Sequence, residues 1–286
     1  MIIKLINFLK IISIMRINQW VKNLLIFFPP IAAKSYEKIL TIEGLLYFIS
    51  FSLMASAVYC INDIADVLYD SKDRYKKNRP ITTGILTTRN AYKVFLILFI
   101  GSLLIQIYLK NYNVLLILLV YFFFTTTYTF VIKKIIFLDI LFLASFYLFR
   151  ILYGSLAFNT IISPWLLYFS FFFFLGLSTI KRIANYNKRS IYFGKHKKKL
   201  IAISIGCLLL SIIVSSAYLF SQNAYSIYSH PKVLFGSIFF LSIWNLKLIF
   251  DSVKKKIHRD PIEYCLRSKS NWFLIFIIFL FYSLSL

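Results

Sequence analysis

The sequence predicts an all-α, polytopic membrane protein of about nine transmembrane helices. Three observations lead there. The 286 residues are 60% hydrophobic and only 15% charged, whereas a soluble domain carries about 25% charged residues. Apolar runs recur along the whole chain, many near the ~20 residues that cross a bilayer as a helix. The cations collect in alternate connections between those runs, as they do in cytoplasmic loops.

The apolar segments fall near 23–39, 44–66, 90–110, 112–132, 137–158, 163–180, 200–221, 232–251 and 271–286. The first is interrupted by Pro29 and Pro30, which predicts a kinked or partly re-entrant helix. Residues 1–15 read as an interfacial amphipathic lead-in. They carry no small-residue cleavage site, so no cleavable signal peptide is expected. The connection after the second segment holds Lys72, Arg74, Lys76, Lys77, Arg79 and Arg89, and that after the fourth holds Lys133 and Lys134. After the sixth come Lys181, Arg182, Lys188, Arg189, Lys195 and Lys197 to Lys199, and after the eighth Lys254 to Lys256, Arg259, Arg267 and Lys269. The other connections hold few cations: Lys34, Lys38, Lys110 and Lys232. This asymmetry puts the N-terminus in the cytoplasm and the C-terminus outside. The chain reads as one domain over 1–286, with no tandem repeat. The net charge of +23 would suggest nucleic acid in a soluble protein. In this chain the loop bias explains most of it, and no nucleic-acid partner is expected. Cys60, Cys207 and Cys265 have no disulfide or metal-knuckle spacing.

The stretch "YCINDIADVLYDSKDRYKKNRPI", residues 59 to 81, concentrates Asp63, Asp66, Asp70 and Asp73 in a chain with only 10 acids. Asp63, Asp66 and Asp70 are spaced by three and four, which on a helix sets them on one face. Like charges there need a positive partner. Mg²⁺ is one, since it takes carboxylate oxygens and bridges to substrate phosphates. A solvated helix end whose acids pair with the following Lys and Arg is the alternative. Residues 72–79 add cations suited to phosphate oxygens, although the loop bias alone explains Lys72, Arg74 and Lys77.

Asn62-Asp63-x-x-Asp66-x-x-x-Asp70, followed by Lys76-x-x-Arg79-Pro80-Ile81, resembles the first acidic motif of the UbiA superfamily of intramembrane prenyltransferases. The resemblance implies nine helices around a central cavity with the active site on the cytoplasmic side. Aromatic prenyltransferases of the family carry a second Asp-rich motif in the loop after the sixth helix. Here no Asp or Glu lies between Asp139 and Asp251, and that loop reads "IKRIANYNKRS". Lys181 and Arg182 cannot hold a metal, but they can bind phosphate.

Three segments resemble the decaprenyl-phosphate phosphoribosyltransferase branch. "MRINQWVKNLLIFFPP" matches it at Arg16, Gln19, Trp20, Lys22 and Asn23. "YTFVIKKIIFLDILFLASFYLFRILYGSLA" matches at Tyr128, Lys133, Asp139, Arg150 and Gly154. "IKRIAN" resembles the branch's Lys-Arg-x-Ala-Glu, and Asp260-Pro261-x-Glu263 also recurs there. The chain departs from the pattern at Ile17 (usually Pro), at Ser71 and Asp73 (Arg and His), and at Asn185 (Glu). Asn185 can still hydrogen-bond a ribose hydroxyl.

The resemblance implies a membrane phosphoribosyltransferase. It would move 5-phosphoribose from 5-phosphoribosyl 1-diphosphate to a polyprenyl phosphate and release diphosphate. Asp63, Asp66 and Asp70 would hold Mg²⁺ and, with Lys22, form the catalytic group. Asn62, Lys76, Arg79, Lys133, Lys181, Arg182 and Asn185 would bind substrate and its phosphates. Tyr128 and Asp139 would orient a lysine or the ribose, with an interfacial aromatic as the other reading of Tyr128. Arg150 is read either as a structural pair with an acid or as a substrate contact. His196, His230 and His258 lie outside the motifs. The alternative is an aromatic prenyltransferase using a polyprenyl diphosphate. A transporter would need deeper charges. A bacterial inner membrane and cell-envelope biosynthesis follow from the resemblance. The oligomeric state stays open, a homo-oligomer among the options.

Overall fold

In the computed structural model the described residues are 13–73, 76–186, 190–194, 196–257 and 260–286. Residues 1–12 of the lead-in, and Arg74, Lys188, Arg189, Lys195, His258 and Arg259, lie outside them. All of the regular structure among the described residues is helical.

Residues Ile17–Phe27 wind as a 3₁₀ helix and pass directly into α1 (Phe28–Ala32), followed by α2 (Tyr36–Ile39). Pro29 and Pro30 occupy the first turn of α1, where a missing N–H leaves no helical bond unmade. The first apolar segment is therefore three short helices and not one span. The helices that follow are α3 (Ile42–Ala65), α4 (Val67–Asp70), α5 (Thr88–Tyr108), α6 (Tyr112–Phe130), α7 (Leu138–Phe158), α8 (Pro164–Ala184) and α9 (His196–Tyr218). After these come α10 (Gln222–Ile227), α11 (Leu234–Val253), α12 (Pro261–Arg267) and α13 (Lys269–Ser285).

Among the described residues 7 helices are long and apolar enough to cross a bilayer, and α12 with α13, bent by 93°, make an eighth candidate. The expected count of nine included the segment now seen as the 3₁₀ helix, α1 and α2. Large apolar side chains stay exposed along the spans, for example Ile97 at 71% and Phe123 at 65%. Facing water they would be costly; facing lipid they are not.

The chain divides into two compact units, one of residues 1–133 and 149–161, the other of 134–148 and 162–286. In the first unit α3 packs along α5 and against α6 and the 3₁₀ helix. Its small residues allow close approach, as in membrane helix pairs generally. Ser50 Oγ donates to the Ser102 carbonyl at 3.0 Å, and Ser102 Oγ donates to the Ser50 carbonyl at 2.7 Å. The N-terminal segment docks through Trp20 Nε1, which donates to Ser56 Oγ at 2.9 Å, and Asn23 Nδ2, which donates to Ser52 Oγ at 2.9 Å. Gly154 of α7 lies so close that a Cβ there would collide with the Ile26 carbonyl. Buried Arg150 donates from Nε to Asn23 Oδ1 at 2.9 Å and lies over the rings of Phe51 and Tyr121 at 5.3 and 5.7 Å. An amide and two aromatic faces thus meet a charge read from the sequence either as the partner of an acid or as a substrate contact.

In the second unit α8 packs against α9, and α11 packs against α13, α9 and α8. Tyr147 stacks on Phe174 with ring centroids 4.5 Å apart. Phe173 and Phe174 are buried, so part of the Phe171–Phe174 run is packing surface.

Candidate active site

α3 ends at Ala65, and Asp66 separates it from α4 with φ −99° and ψ 2°. The face shared by three acids assumed an unbroken helix, and the break at Asp66 divides them. Asp63 and Asp70 turn to Arg79, while Asp66 turns to Lys133.

Asp63 and Asp70 are buried, at 2% and 1% exposure. Asp63 Oδ1 accepts from Arg79 Nη1 at 2.9 Å and also from Arg16 Nη2. Asp70 Oδ2 accepts from the same Arg79 Nη1, and its other oxygen lies 3.6 Å from Lys76 Nζ. One guanidinium nitrogen therefore bridges two buried carboxylates. Buried charges persist only when paired in this way. Lys133 Nζ pairs with Asp66. Loss of solvent, and then the charge of Arg79, holds the Lys76 ammonium below the usual lysine range. Loss of solvent, and then the charge of Arg16, lowers Arg79 in the same way. An added anion would relieve both. Among the described residues no three His, Cys, Asp or Glu stand close enough to share one metal ion.

The sequence between Asp70 and α5 places Arg79 through its neighbours. Ile81 and Leu86 are buried in a cluster with Ile14, Ala57, Cys60 and Ala91. The Leu86 N–H bonds the Pro80 carbonyl at 2.9 Å, and the turn closes through Gly84 at φ 72°. The Pro-Ile after Arg79 is thus an anchor that carries the guanidinium back to α3. Asn62 Oδ1 accepts from Thr129 Oγ1 of α6 at 3.4 Å. Tyr128, also on α6, is half-buried. Lys22 is buried at 7% exposure on the 3₁₀ helix.

Arg16 was given no role by its motif, yet it reaches Asp63 and lies over the Tyr59 ring at 4.9 Å. It does so from a left-handed backbone, φ 52° and ψ 51°, which costs about 1–2 kcal/mol for a residue with a Cβ. Its place in "MRINQW" was the available signal.

The other expected residues lie in the second unit. Asp139, fully buried, pairs with Arg182 Nε at 2.5 Å and accepts from Tyr192 Oη. Asp260 pairs with Lys181 Nζ at 3.1 Å and caps α12 by accepting from the Ile262 N–H at 3.1 Å. Asn185 Nδ2 donates to the Lys181 carbonyl at 2.8 Å, closing the end of α8. Tyr192 had no signal in the sequence, being one aromatic among many in a basic loop.

Residues 24–257 match the UbiA prenyltransferase family. The decaprenyl-phosphate phosphoribosyltransferase of Mycobacterium tuberculosis is 33% identical over 180 residues, covering 61% of this chain and 59% of that protein. The uncharacterized protein y4nM of Sinorhizobium fredii is 28% identical over 281 residues, covering 92% of this chain and 53% of that protein. The chain thus spans between half and three fifths of the length of these relatives. Among solved structures, a UbiA homolog from Archaeoglobus fulgidus bound to GPP and Mg²⁺ superposes with a TM-score of 0.69 at 15% identity, covering 95% of this chain and 96% of that one. That likeness concerns the fold. The motif carried by Asn62 to Arg79, the apolar helices and the family match agree, and the chain belongs to the UbiA prenyltransferase family of polytopic membrane transferases.

Proposed function

We propose that this chain transfers 5-phosphoribose from 5-phosphoribosyl 1-diphosphate to a polyprenyl phosphate, in a bacterial inner membrane with its basic loops in the cytoplasm. The observation that carries the reading is the pairing of Asp63, Asp66 and Asp70 with Arg16, Lys76, Arg79 and Lys133, together with the lack of any acid between Asp139 and Asp251. A prenyl diphosphate and a neutral ring need fewer cations than two phosphorylated substrates. The relative named decaprenyl-phosphate phosphoribosyltransferase supports the same choice.

The donor set fits Mg²⁺ in part. Asp63 Oδ1 and Asp70 Oδ2 converge on one nitrogen of Arg79, and two carboxylates plus substrate phosphates are a usual ligand set for this ion. Asp66, paired with Lys133, is the third candidate. A bound Mg²⁺ would neutralise charge on the departing diphosphate. The chain's cations do the rest. Arg16, Lys76, Arg79 and Lys133 bind phosphate oxygens at the acidic cluster, and Lys22 of the N-terminal segment and Asn62 of the acidic motif add to them. Lys181 and Arg182, each held by its acid, take a phosphate as well, and Asn185 and Tyr128 take ribose hydroxyls. The bond between ribose C1 and the diphosphate oxygen breaks, and the diphosphate keeps the electron pair. A lipid phosphate oxygen forms the new bond from the opposite face. That oxygen is already anionic, so the step needs no general base, in keeping with the absence of His from the motifs.

The test uses purified protein, Mg²⁺, a short polyprenyl phosphate and radiolabelled 5-phosphoribosyl 1-diphosphate. Label should move into the organic phase and should stay aqueous with Asp63→Ala. No transfer by the wild type, with prenylation of an aromatic acid from a prenyl diphosphate in its place, would overturn the reading.

A further inference from the structure

Between α8 and α9 the sequence carries Lys188, Arg189 and Lys195 among residues 185–195, and Tyr192 is fully buried there. Its ring packs in a cluster with Ile140, Ile183 and Leu200. It meets the Phe137 ring edge-on, with centroids 5.8 Å apart. The hydroxyl is doubly engaged. It accepts from the Phe137 N–H at 2.9 Å and donates to Asp139 Oδ1. Phe137 has a left-handed φ of 67°, which an aromatic residue adopts only when its surroundings enforce it. The bond from its N–H to Tyr192 is part of that enforcement. Asp139 Oδ2 in turn forms an ion pair with Arg182 Nε at 2.5 Å, without the alignment of a hydrogen bond. Burial first, and then the bond to Asp139, raises the Tyr192 hydroxyl above the usual tyrosine range, so it stays a donor at any physiological pH.

We propose that Tyr192 is a positioning residue that fixes Asp139 and, through it, aims the Arg182 guanidinium at a substrate phosphate. The inference rests on the phosphate role given to Arg182 above. Asp139 is fully buried while the Arg182 side chain keeps 22% exposure, so only the arginine of this relay can meet a ligand. A guanidinium held at Nε by this ion pair keeps its planar fork of terminal nitrogens in one orientation, the arrangement that phosphate oxygens recognise. Tyr192 sets that plane without touching the ligand. A neighbouring contact ties Tyr186 to Gly194, two residues on from Tyr192. Tyr186 Oη donates to the Gly194 carbonyl at 3.0 Å and accepts from its N–H at 2.9 Å.

The test is a double-variant cycle in the full chain in lipid nanodiscs: wild type, Tyr192→Phe, Arg182→Gln and both together. Equilibrium binding of 5-phosphoribosyl 1-diphosphate and of a short polyprenyl phosphate is measured, with steady-state transfer beside it. Tyr192→Phe should weaken one of the two ligands about three- to tenfold, as loss of one hydrogen bond would. It should raise the KM for that substrate by the same factor and leave kcat within twofold. In the Arg182→Gln background it should change nothing further. Equal weakening in both backgrounds, or unchanged binding of both ligands, overturns the proposal. If Tyr192→Phe lowers the melting temperature, binding is read at a temperature where every variant is folded, and the same outcomes decide. Coupled loss of binding in the variants, with a wild type that transfers no phosphoribose, would remove the reaction proposed above and leave the role of Tyr192 standing.

Discussion

Two sites, one in each unit, hold a buried carboxylate of a membrane protein in different ways. In the first, Asp63 and Asp70 share cations that arrive from several segments: Arg16 from before the 3₁₀ helix, Arg79 from the turn before α5, and Lys76. Each cation has a long side chain with partial exposure, between 20% and 47%. Such a cluster can exchange partners, because any one contact is backed by another. At the second site Asp139 pairs, among the described residues, with Arg182, and lies wholly beneath the surface with Tyr192 beside it. Among the described residues no second cation backs this pair, which suits it to holding its arginine in place. The difference separates carboxylates suited to changing ligands from a carboxylate suited to fixing geometry.

The contrast makes its largest prediction at Asp63. Asp63→Ala should lower transfer by about 10²–10³-fold, the scale for losing one electrostatic contact to the reacting groups. The melting temperature in detergent should shift little, since Arg79 keeps Asp70. A large fall in stability would erase the distinction between the two sites. Asp139→Asn should do the reverse and reduce stability by about 2–4 kcal/mol, toward the lower end for a broken buried pair because Arg182 reaches solvent. Denaturant unfolding would show it, and an unchanged midpoint would mean that Asp139 is not a brace.

The glycines sharpen the comparison on a smaller scale. A Cβ at Gly154 would strike the backbone carbonyl of Ile26, whereas one at Gly176 would meet the flexible end of Leu208 at 2.7 Å. Gly154→Ala should therefore cost about 1–3 kcal/mol by overpacking, and Gly176→Ala less. Equal melting temperatures would show that the N-terminal segment can move away from α7. The smallest effect is expected at the exposed pair of Arg267 and Glu263, 2.8 Å apart on one helix turn. Glu263→Gln should change stability by under ~0.5 kcal/mol, which provides the surface reference for Asp139.

Much of the site was legible because its chemistry is dense in the chain. Asp63, Asp70, Lys76 and Arg79 form one short stretch, and they do meet. Asp66 was misplaced by a continuous helix, because periodicity does not register a break of one residue. Lys133 could be named from its motif, but its partner Asp66 lies 67 positions away, and pairing over such a distance leaves no local pattern.

By itself, the sequence determined the class, the membrane helices and the acidic motif. Hydrophobic content, cation asymmetry and 3,4 spacing are local properties, written wherever they act. Only the tertiary structure decided which cation meets which acid, that the first apolar segment is a 3₁₀ helix running into two short helices, that Arg16 reaches Asp63, and that Tyr192 is a core residue in a polar loop. Each of these depends on what lies beside a residue in space. Desolvation and pairing, which set the energy of a buried charge, have no counterpart in the order of the chain.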